Sequence, residues 1–303
     1  MEHREIPKTD LTVSTICLGT MTFGTPVEES EAIKITQWAL DNGVNFIDTA
    51  NMYQGYTRSL GSPGEVAENI LGKALKGRRD QAVLATKVGM KVGDRPEDEY
   101  TSPAAIKKHL DKSLKRLATD FIDIYYLHRP DPDTAVVDTI GALNEAITAG
   151  KIKHYGISNF SAQQTVELIE IADANSLPRP VIHQPPYSLL NSDLEKDLLP
   201  LCENQQIAVA PYQVLQGGAL TGKYQRSQTP LADSRINEKP QWIPELNDEL
   251  FDKLEAIEAQ AKQKGRTILE HTLKETLAKP AVTSLVLGVK RIDQLESLIT
   301  AVS

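Results

Sequence analysis

Short apolar, β-branched runs alternate with longer amphipathic stretches along nearly the whole chain, and that alternation leaves few folds open. The apolar runs are Ile16–Leu18, Asn45–Asp48, Ala82–Thr86, Asp123–His128, His154–Ser158, Val181–Gln184, Ala208–Pro211 and Ser284–Leu287. Helical patterns lie near Glu28–Asp41, Gly64–Leu75, Pro103–Leu117, Val136–Ala149, Ala162–Ala174, Leu194–Asn204, Asp248–Lys262, Thr267–Ala278 and Ile292–Ala301. Strands separated by helices run parallel, because each connection crosses back over the sheet. The runs lack clean polar alternation, as strands buried on both faces do. Eight such units close a barrel, which commonly takes about 250 residues. The rival, an open doubly wound sheet, carries a Gly-x-Gly-x-x-Gly fingerprint that is missing here. The segment from Arg4 to Val13 reads as a small hairpin before the first barrel strand. The expectation is one α/β domain over residues 1–303: a single (β/α)8 TIM barrel with an N-terminal β-hairpin and an extra helix. The longest irregular stretch, Gln225–Leu246, follows the seventh strand. Loops of that length are usually functional or mobile.

Composition narrows the function. Hydrophobic content of 40% and charged content of 24% are ordinary for a soluble protein. A net charge of −8 argues against a general nucleic-acid or anionic-membrane binder. No apolar run approaches transmembrane length, and the start, Met1-Glu2-His3-Arg4-Glu5, has no apolar core of a secretory signal. Cys17 and Cys202 are far apart and lack metal-ligand spacing, so neither a disulfide framework nor a zinc site is expected. A cytoplasmic location follows as the expectation.

Three of the apolar runs stop at residues with acid–base capacity. Asp48 ends the second, with Tyr53 just beyond; Lys87 ends the third; His128 ends the fourth. Singly, each has a structural explanation: a turn cap, a packing residue, a solvated lysine, a core histidine. Jointly they share one place, the C-terminal rim where barrel enzymes keep their chemistry. An Asp, a Tyr, a Lys and a His there suggest protonation of a carbonyl oxygen during hydride transfer. A tyrosine with a pKa of about 10 is a weak acid near neutrality. A nearby ammonium lowers that value, and a carboxylate keeps the ammonium charged despite burial.

The chain resembles the aldo-keto reductase superfamily over nearly its whole length. The likeness runs through Leu18-Gly19-Thr20-Met21-Thr22-Phe23-Gly24, Phe46-Ile47-Asp48-Thr49-Ala50, Leu71-Gly72-Lys73-Ala74, Ala85-Thr86-Lys87-Val88-Gly89, Leu127-His128-Arg129-Pro130-Asp131, Gly156-Ile157-Ser158-Asn159-Phe160 and Leu220-Thr221-Gly222-Lys223-Tyr224. It implies Tyr53 as general acid, Lys87 as its partner, Asp48 as the carboxylate holding that lysine, and His128 as the group orienting the carbonyl. It implies a nicotinamide nucleotide, NADP(H) in preference to NAD(H). Ser158, Asn159 and Gln184 would hold the carboxamide, with Tyr212 stacked on the ring. Gly19, Thr20, Met21 and Asp48, then Gln213, Leu215, Gln216, Gly217, Gly218 and Leu220, would line the rest of the nucleotide. Gly288, Val289, Lys290, Arg291 and Gln294 would take the adenosine end, the two cations suiting a 2′-phosphate.

Gly217 to Lys223 copies the spacing of a phosphate-binding P-loop, but Tyr224 stands where Ser or Thr would hold magnesium. It reads instead as the family's glycine-containing loop over the pyrophosphate. Ser297 and Leu298 stand where many relatives have Asn or Glu for adenine. The link from Gln54 to Glu65 is longer than in many relatives, and little chain follows the last helix. The substrate walls are therefore expected from the loops after Tyr53, Lys87, His128 and Tyr212, with Tyr56 and Trp242 among the candidates. The leading expectation is a reductase of a small aldehyde, sugar or pyridoxal-like carbonyl, reversible toward the alcohol. Potassium-channel β-subunits resemble the chain in the same motifs, so a non-enzymatic redox sensor is the alternative. A barrel aldolase with Lys87 as Schiff-base nucleophile is a third class, opposed by the carboxylate that keeps the amine protonated.

Overall fold

The computed structural model describes residues 1–226, 228–230, 232 and 234–303. An antiparallel hairpin, β1 (His3–Glu5) and β2 (Thr12–Ser14), pairs His3 with Ser14. Eight parallel strands follow: β3 (Ile16–Gly19), β4 (Phe46–Asp48), β5 (Val83–Val88), β6 (Ile122–Leu127), β7 (Ile152–Ser158), β8 (Ile182–Gln184), β9 (Ala208–Val209) and β10 (Leu285–Gly288). Their order in the sheet is β10-β3-β4-β5-β6-β7-β8-β9. A parallel bridge between Val209 and Val282 joins the two ends. Backbone bonds from Val209 to Ala281, Thr283 to Val209 and Val286 to Pro211 complete that seam, so the sheet is a (β/α)8 barrel.

The helices are α1 (Glu29–Asp41), α2 (Val66–Ala74), α3 (Pro103–Leu117), α4 (Val136–Thr148), α5 (Ala162–Ala174), α6 (Leu198–Gln205), α7 (Arg235–Glu238), α8 (Asp248–Gln263), α9 (Ile268–Leu277) and α10 (Ile292–Val302). Local chemistry explains several boundaries. Ser102, Ser161, Asn247 and Thr267 cap α3, α5, α8 and α9 through their side chains. The helix expected from Leu194 starts only at Leu198, because Pro200 is tolerated in a first turn and not in an interior. The strand expected to reach Pro211 stops at Val209, since proline has no N–H for the ladder. α7 lies within the stretch read as irregular; residues 227, 231 and 233 of that stretch lie outside the described residues.

Two apolar layers hold the barrel. The outer faces of the strands pack on the helices, with Ile16, Leu18, Leu84, Leu127 and Leu285 among the buried residues. The interior is a separate cluster of Cys17, Phe46, Ala85, Ile124, Tyr126, Ile182 and Ala208. Ile6, Leu11 and Val13 join that cluster, so the hairpin closes the barrel floor. Arg4 of β1 locks it there, its Nη1 donating to the carbonyls of Leu277 and Val282 at 2.8 Å each. With the floor sealed, the open end is the rim formed by the strand C-termini.

The interior tolerates little added volume. A Cβ on Gly156 of β7 would sit 2.5 Å from Cε1 of Tyr126 and 2.8 Å from Cγ2 of Ile182. Gly156→Ala is expected to destabilise the protein by about 1–3 kcal/mol, as overpacking does. A urea midpoint unchanged from the wild type would contradict that packing.

Candidate active site

The rim gathers its polar residues by strand register. Gly19 pairs with Asp48, and Ser158 with Gln184, so adjacent strands end level with one another. Asp48, Ser158 and Gln184 are the last residues of β4, β7 and β8. Lys87 is the penultimate residue of β5, and His128 directly follows β6.

Lys87 is fully buried and Asp48 is 1% exposed. The Lys87 Nζ donates to Asp48 Oδ2 at 2.5 Å, to the Thr49 carbonyl at 3.0 Å and to the Tyr53 hydroxyl at 3.3 Å. These three bonds use the three donors of an ammonium. The other Asp48 oxygen, Oδ1, accepts from Gln184 Nε2 at 2.8 Å. Tyr53 and His128 meet edge to face with ring centroids 6.1 Å apart. The four acid–base residues read from the strand ends thus form one cluster. The roles of Gln184 and of the Thr49 carbonyl in it carry no sequence signal, since only register brings them there.

Burial alone would pull the Lys87 ammonium toward its neutral form, but Asp48 and Tyr53 outweigh it and the pKa is raised. Lys87 is therefore a fixed cation and a poor nucleophile, which disfavours a Schiff-base reading. For Tyr53, burial pushes the phenol above its ordinary value; Lys87 pulls it down and Asp48 pushes it up. The pull of the ammonium has the expected sign, but the expected net lowering is corrected, because burial of the hydroxyl outweighs it. His128 is driven well below the usual imidazole range by burial first, then by Lys87, Arg58 and Arg129. It is neutral at physiological pH, so it can donate a hydrogen bond but holds no spare proton. Its Nδ1 is buried without a partner.

A second network lies beside the first. Ser158 Oγ donates to the Gln184 carbonyl at 2.7 Å, and Asn159 Nδ2 donates to the His128 carbonyl at 2.8 Å. The Tyr212 hydroxyl donates to Asn159 Oδ1 at 2.8 Å. Asn159, Gln213 and Gln216 hold the left-handed conformation, with φ of 63°, 59° and 45°. Non-glycine residues in that region are strained, and such strain gathers at functional sites. Gly217 and Gly218 (φ 65° and 102°) shape the turn Gln216–Thr221, which opens no long helix, as a P-loop would. The Trp242 carbonyl and the Ile243 side chain pack on Gly217, whose added Cβ would lie 3.0 Å from that carbonyl.

Gly19 and Gly288 pair across β3 and β10, which brings Thr20 and Met21 level with Val289. The Gln294 side chain accepts from the Lys290 amide at 2.8 Å. The Lys290 ammonium is ion-paired with Glu238 of α7, a partner the sequence does not reveal, and Arg291 bonds Asp293. Ser297 bonds its own helix at the Asp293 carbonyl, and Leu298 is buried. Tyr56 and Trp242 meet edge to face at 5.3 Å, joining the loop after β4 to the loop after β9. Cys17 and Cys202 are unpaired and buried. Among the described residues, no group of three His, Cys, Asp or Glu is placed to hold a metal, and no helix is long and apolar enough to cross a membrane.

The fold and rim define a class: a (β/α)8 barrel with a buried carboxylate–ammonium–phenol cluster at its open end. The family model "Aldo/keto reductase family" matches residues 15–303, and the chain belongs to that family. Its relatives divide by name. The probable voltage-gated potassium channel subunit beta of Arabidopsis thaliana is 33% identical, over 100% of this chain and 91% of its own length. The aldo-keto reductase YhdN of Bacillus subtilis is 32% identical, over 98% and 88%. The L-glyceraldehyde 3-phosphate reductase of Escherichia coli is 30% identical, over 100% and 88%. The chain is an oxidoreductase by this membership.

The imidazoles offer a direct check of the site's electrostatics. His128 is held well below 6.5, and burial lowers His183, two strands along, to about 4. Ring nitrogen NMR shifts should report both as neutral at pH 6. The native state then refuses protons that the unfolded chain accepts below about 6.5. Stability should fall as pH drops from 6.5 toward 4, and a rise over that range would contradict the assignment.

Proposed function

We propose that this chain is an NADP(H)-dependent reductase of aldehydes or ketones, reversible toward the alcohol, with Tyr53 as general acid. The observation that carries the reading is the continuous hydrogen-bonded chain Gln184–Asp48–Lys87–Tyr53, which runs from buried Gln184 to partly buried Tyr53. Its sole hydroxyl terminus is Tyr53, beside a neutral His128. We assign Tyr53, Lys87, Asp48 and His128 the catalytic work, within one domain over residues 1–303 and a cytoplasmic setting that suits two free thiols.

The residues present fit a nicotinamide nucleotide. Ser158 Oγ, Asn159 Oδ1 and Gln184 Oε1 keep acceptor capacity for a carboxamide N–H2. Tyr212 offers a ring face beside them. The turn at Gly217 and Gly218, with the Lys223 side chain packed against Gly218, would run along the pyrophosphate, with Gln213, Leu215, Gln216 and Leu220 around it. Gly19, Thr20 and Met21 on one side, and Gly288, Val289, Lys290, Arg291 and Gln294 on the other, would complete the groove. When bound, the nucleotide supplies or takes the hydride. The chain's own residues do the rest. His128 orients the carbonyl with a neutral N–H. Tyr53 donates its proton as the oxygen gains charge, which is when general acid catalysis acts. Lys87 then stabilises the phenolate, so the anion forms beside a cation already fixed in place. Asp48 and Gln184 keep that cation positioned.

The redox-sensing alternative is favoured by the likeness to the channel subunit, and it predicts nucleotide binding without turnover. A panel of carbonyls with NADPH and NADH, followed by loss of the dihydronicotinamide absorbance, separates the two. Cofactor preference has its own test. A charged hydrogen bond to a 2′-phosphate contributes about 1.5–3 kcal/mol. The double variant Lys290→Ala, Arg291→Ala should weaken NADPH by roughly ten-fold or more and leave NADH nearly unchanged in fluorescence titrations. Equal weakening of both, or none, would remove the assignment of NADP(H).

A further inference from the structure

The loop after β4 brings to the catalytic rim a cation that has no counter-charge among the described residues. Arg58 lies five residues beyond Tyr53 and directly follows the short turn Gly55–Thr57. Its Nη2 donates to the Lys91 carbonyl at 3.0 Å. Arg129, next to His128, donates from Nε to the Gly89 carbonyl at 3.3 Å. Gly89 and Lys91 are the second and fourth residues after Lys87, so two guanidinium groups grip one turn leaving the lysine strand. Their charges are handled differently. Arg129 binds Glu99 at 2.5 Å and stacks over Tyr100. Arg79 and Arg116, with side chains 18% and 9% exposed, bind Asp123 and Glu68 at 2.6 Å each. Arg58 has no carboxylate partner among the described residues, and its Nε is buried with no hydrogen bond at all.

A partly buried charge without a partner is costly, and a guanidinium cannot shed its proton to escape that cost. Burial first, with Arg129 adding to it, disfavours the charge on Arg58, while Tyr53 favours it. The same field reaches His128 and the phenol, so Arg58 acts on the space where a carbonyl would lie. We propose that Arg58 is a specificity-determining residue that binds the oxoanion, carboxylate or phosphate, of a carbonyl substrate presented to Tyr53 and His128. The proposal rests on the reductase reading and names its substrate class: anionic aldehydes or ketones. The planar fork of a guanidinium matches either oxoanion and gives specificity by geometry as well as charge. Arg129 supports it with field, its own fork being occupied by Glu99.

Matched substrate pairs test this: butanal against succinate semialdehyde, and glyceraldehyde against its phosphate monoester. With saturating NADPH, the wild type should favour the anionic member of at least one pair by about ten-fold or more in kcat/KM, the range expected of a charge-assisted bond. The pair with the larger ratio identifies carboxylate or phosphate as the anion. Arg58→Gln should lose most of that preference through KM, with kcat and the neutral substrates within about two-fold of wild type. Arg58→Lys should recover part of it. Retained turnover of neutral substrates reports that the variant is folded, and the wild-type ratios decide the matter even if it is not. Neutral members reduced as well as anionic ones would overturn the oxoanion site and leave the reductase reading standing. So would an Arg58→Gln loss equal for both members. No reduction of any of the four would overturn both.

Discussion

The arrangement at the rim depends on one buried ion pair, Asp48 with Lys87. Two charges removed from water are unfavourable unless each finds close partners for all its polar atoms. Here that condition is met from three strand ends. Asp48 comes from β4 and takes a hydrogen bond from Gln184 of β8; Lys87 comes from β5 and spends its remaining donors on the Thr49 carbonyl and the Tyr53 hydroxyl. The pair therefore fixes where Tyr53 points. A phenol held against a permanent cation is poised to lose its proton in the transition state, where a phenolate would otherwise be expensive in so dry a place.

The barrel makes this geometry available because its other end is closed. The hairpin seals the floor with Ile6, Leu11 and Val13, and the seam at Val209 and Val282 removes the free sheet edge. Polar residues at strand C-termini then have a single shared opening, and the loops above it can vary without disturbing the core. Two of those loops touch, through Tyr56 and Trp242, directly above the glycine turn at Gly217. The wall of the pocket is thus built from segments far apart in sequence.

Much of this was legible in the chain. Strands buried on both faces leave continuous apolar runs, and a charged residue that ends such a run stands out; Asp48, Lys87 and His128 were visible for that reason. What stayed hidden was set by register and loop packing. The Gln184 bond to Asp48 and the Tyr212 bond to Asn159 join residues 136 and 53 positions apart, and no local pattern encodes either. Glu238 on Lys290, and Arg58 with its Nε unbonded and no carboxylate partner among the described residues, depend on how long loops fold back. The net rise in the Tyr53 pKa was missed because a motif reports the neighbouring ammonium but not the depth of burial. The later start of α6 could have been read from Pro200.

The central claim is that Tyr53 donates the proton. Its most direct test is carbonyl reduction by Tyr53→Phe alongside NADPH binding to the same variant. The phenol acts only as charge develops on the oxygen, so the loss should fall on turnover. Turnover lower by about 10²–10⁴-fold, the range of general acid catalysis, with nucleotide affinity nearly intact is the predicted result. A variant that keeps more than about a tenth of wild-type turnover would contradict it, because general acid catalysis by Tyr53 could not then carry the reaction.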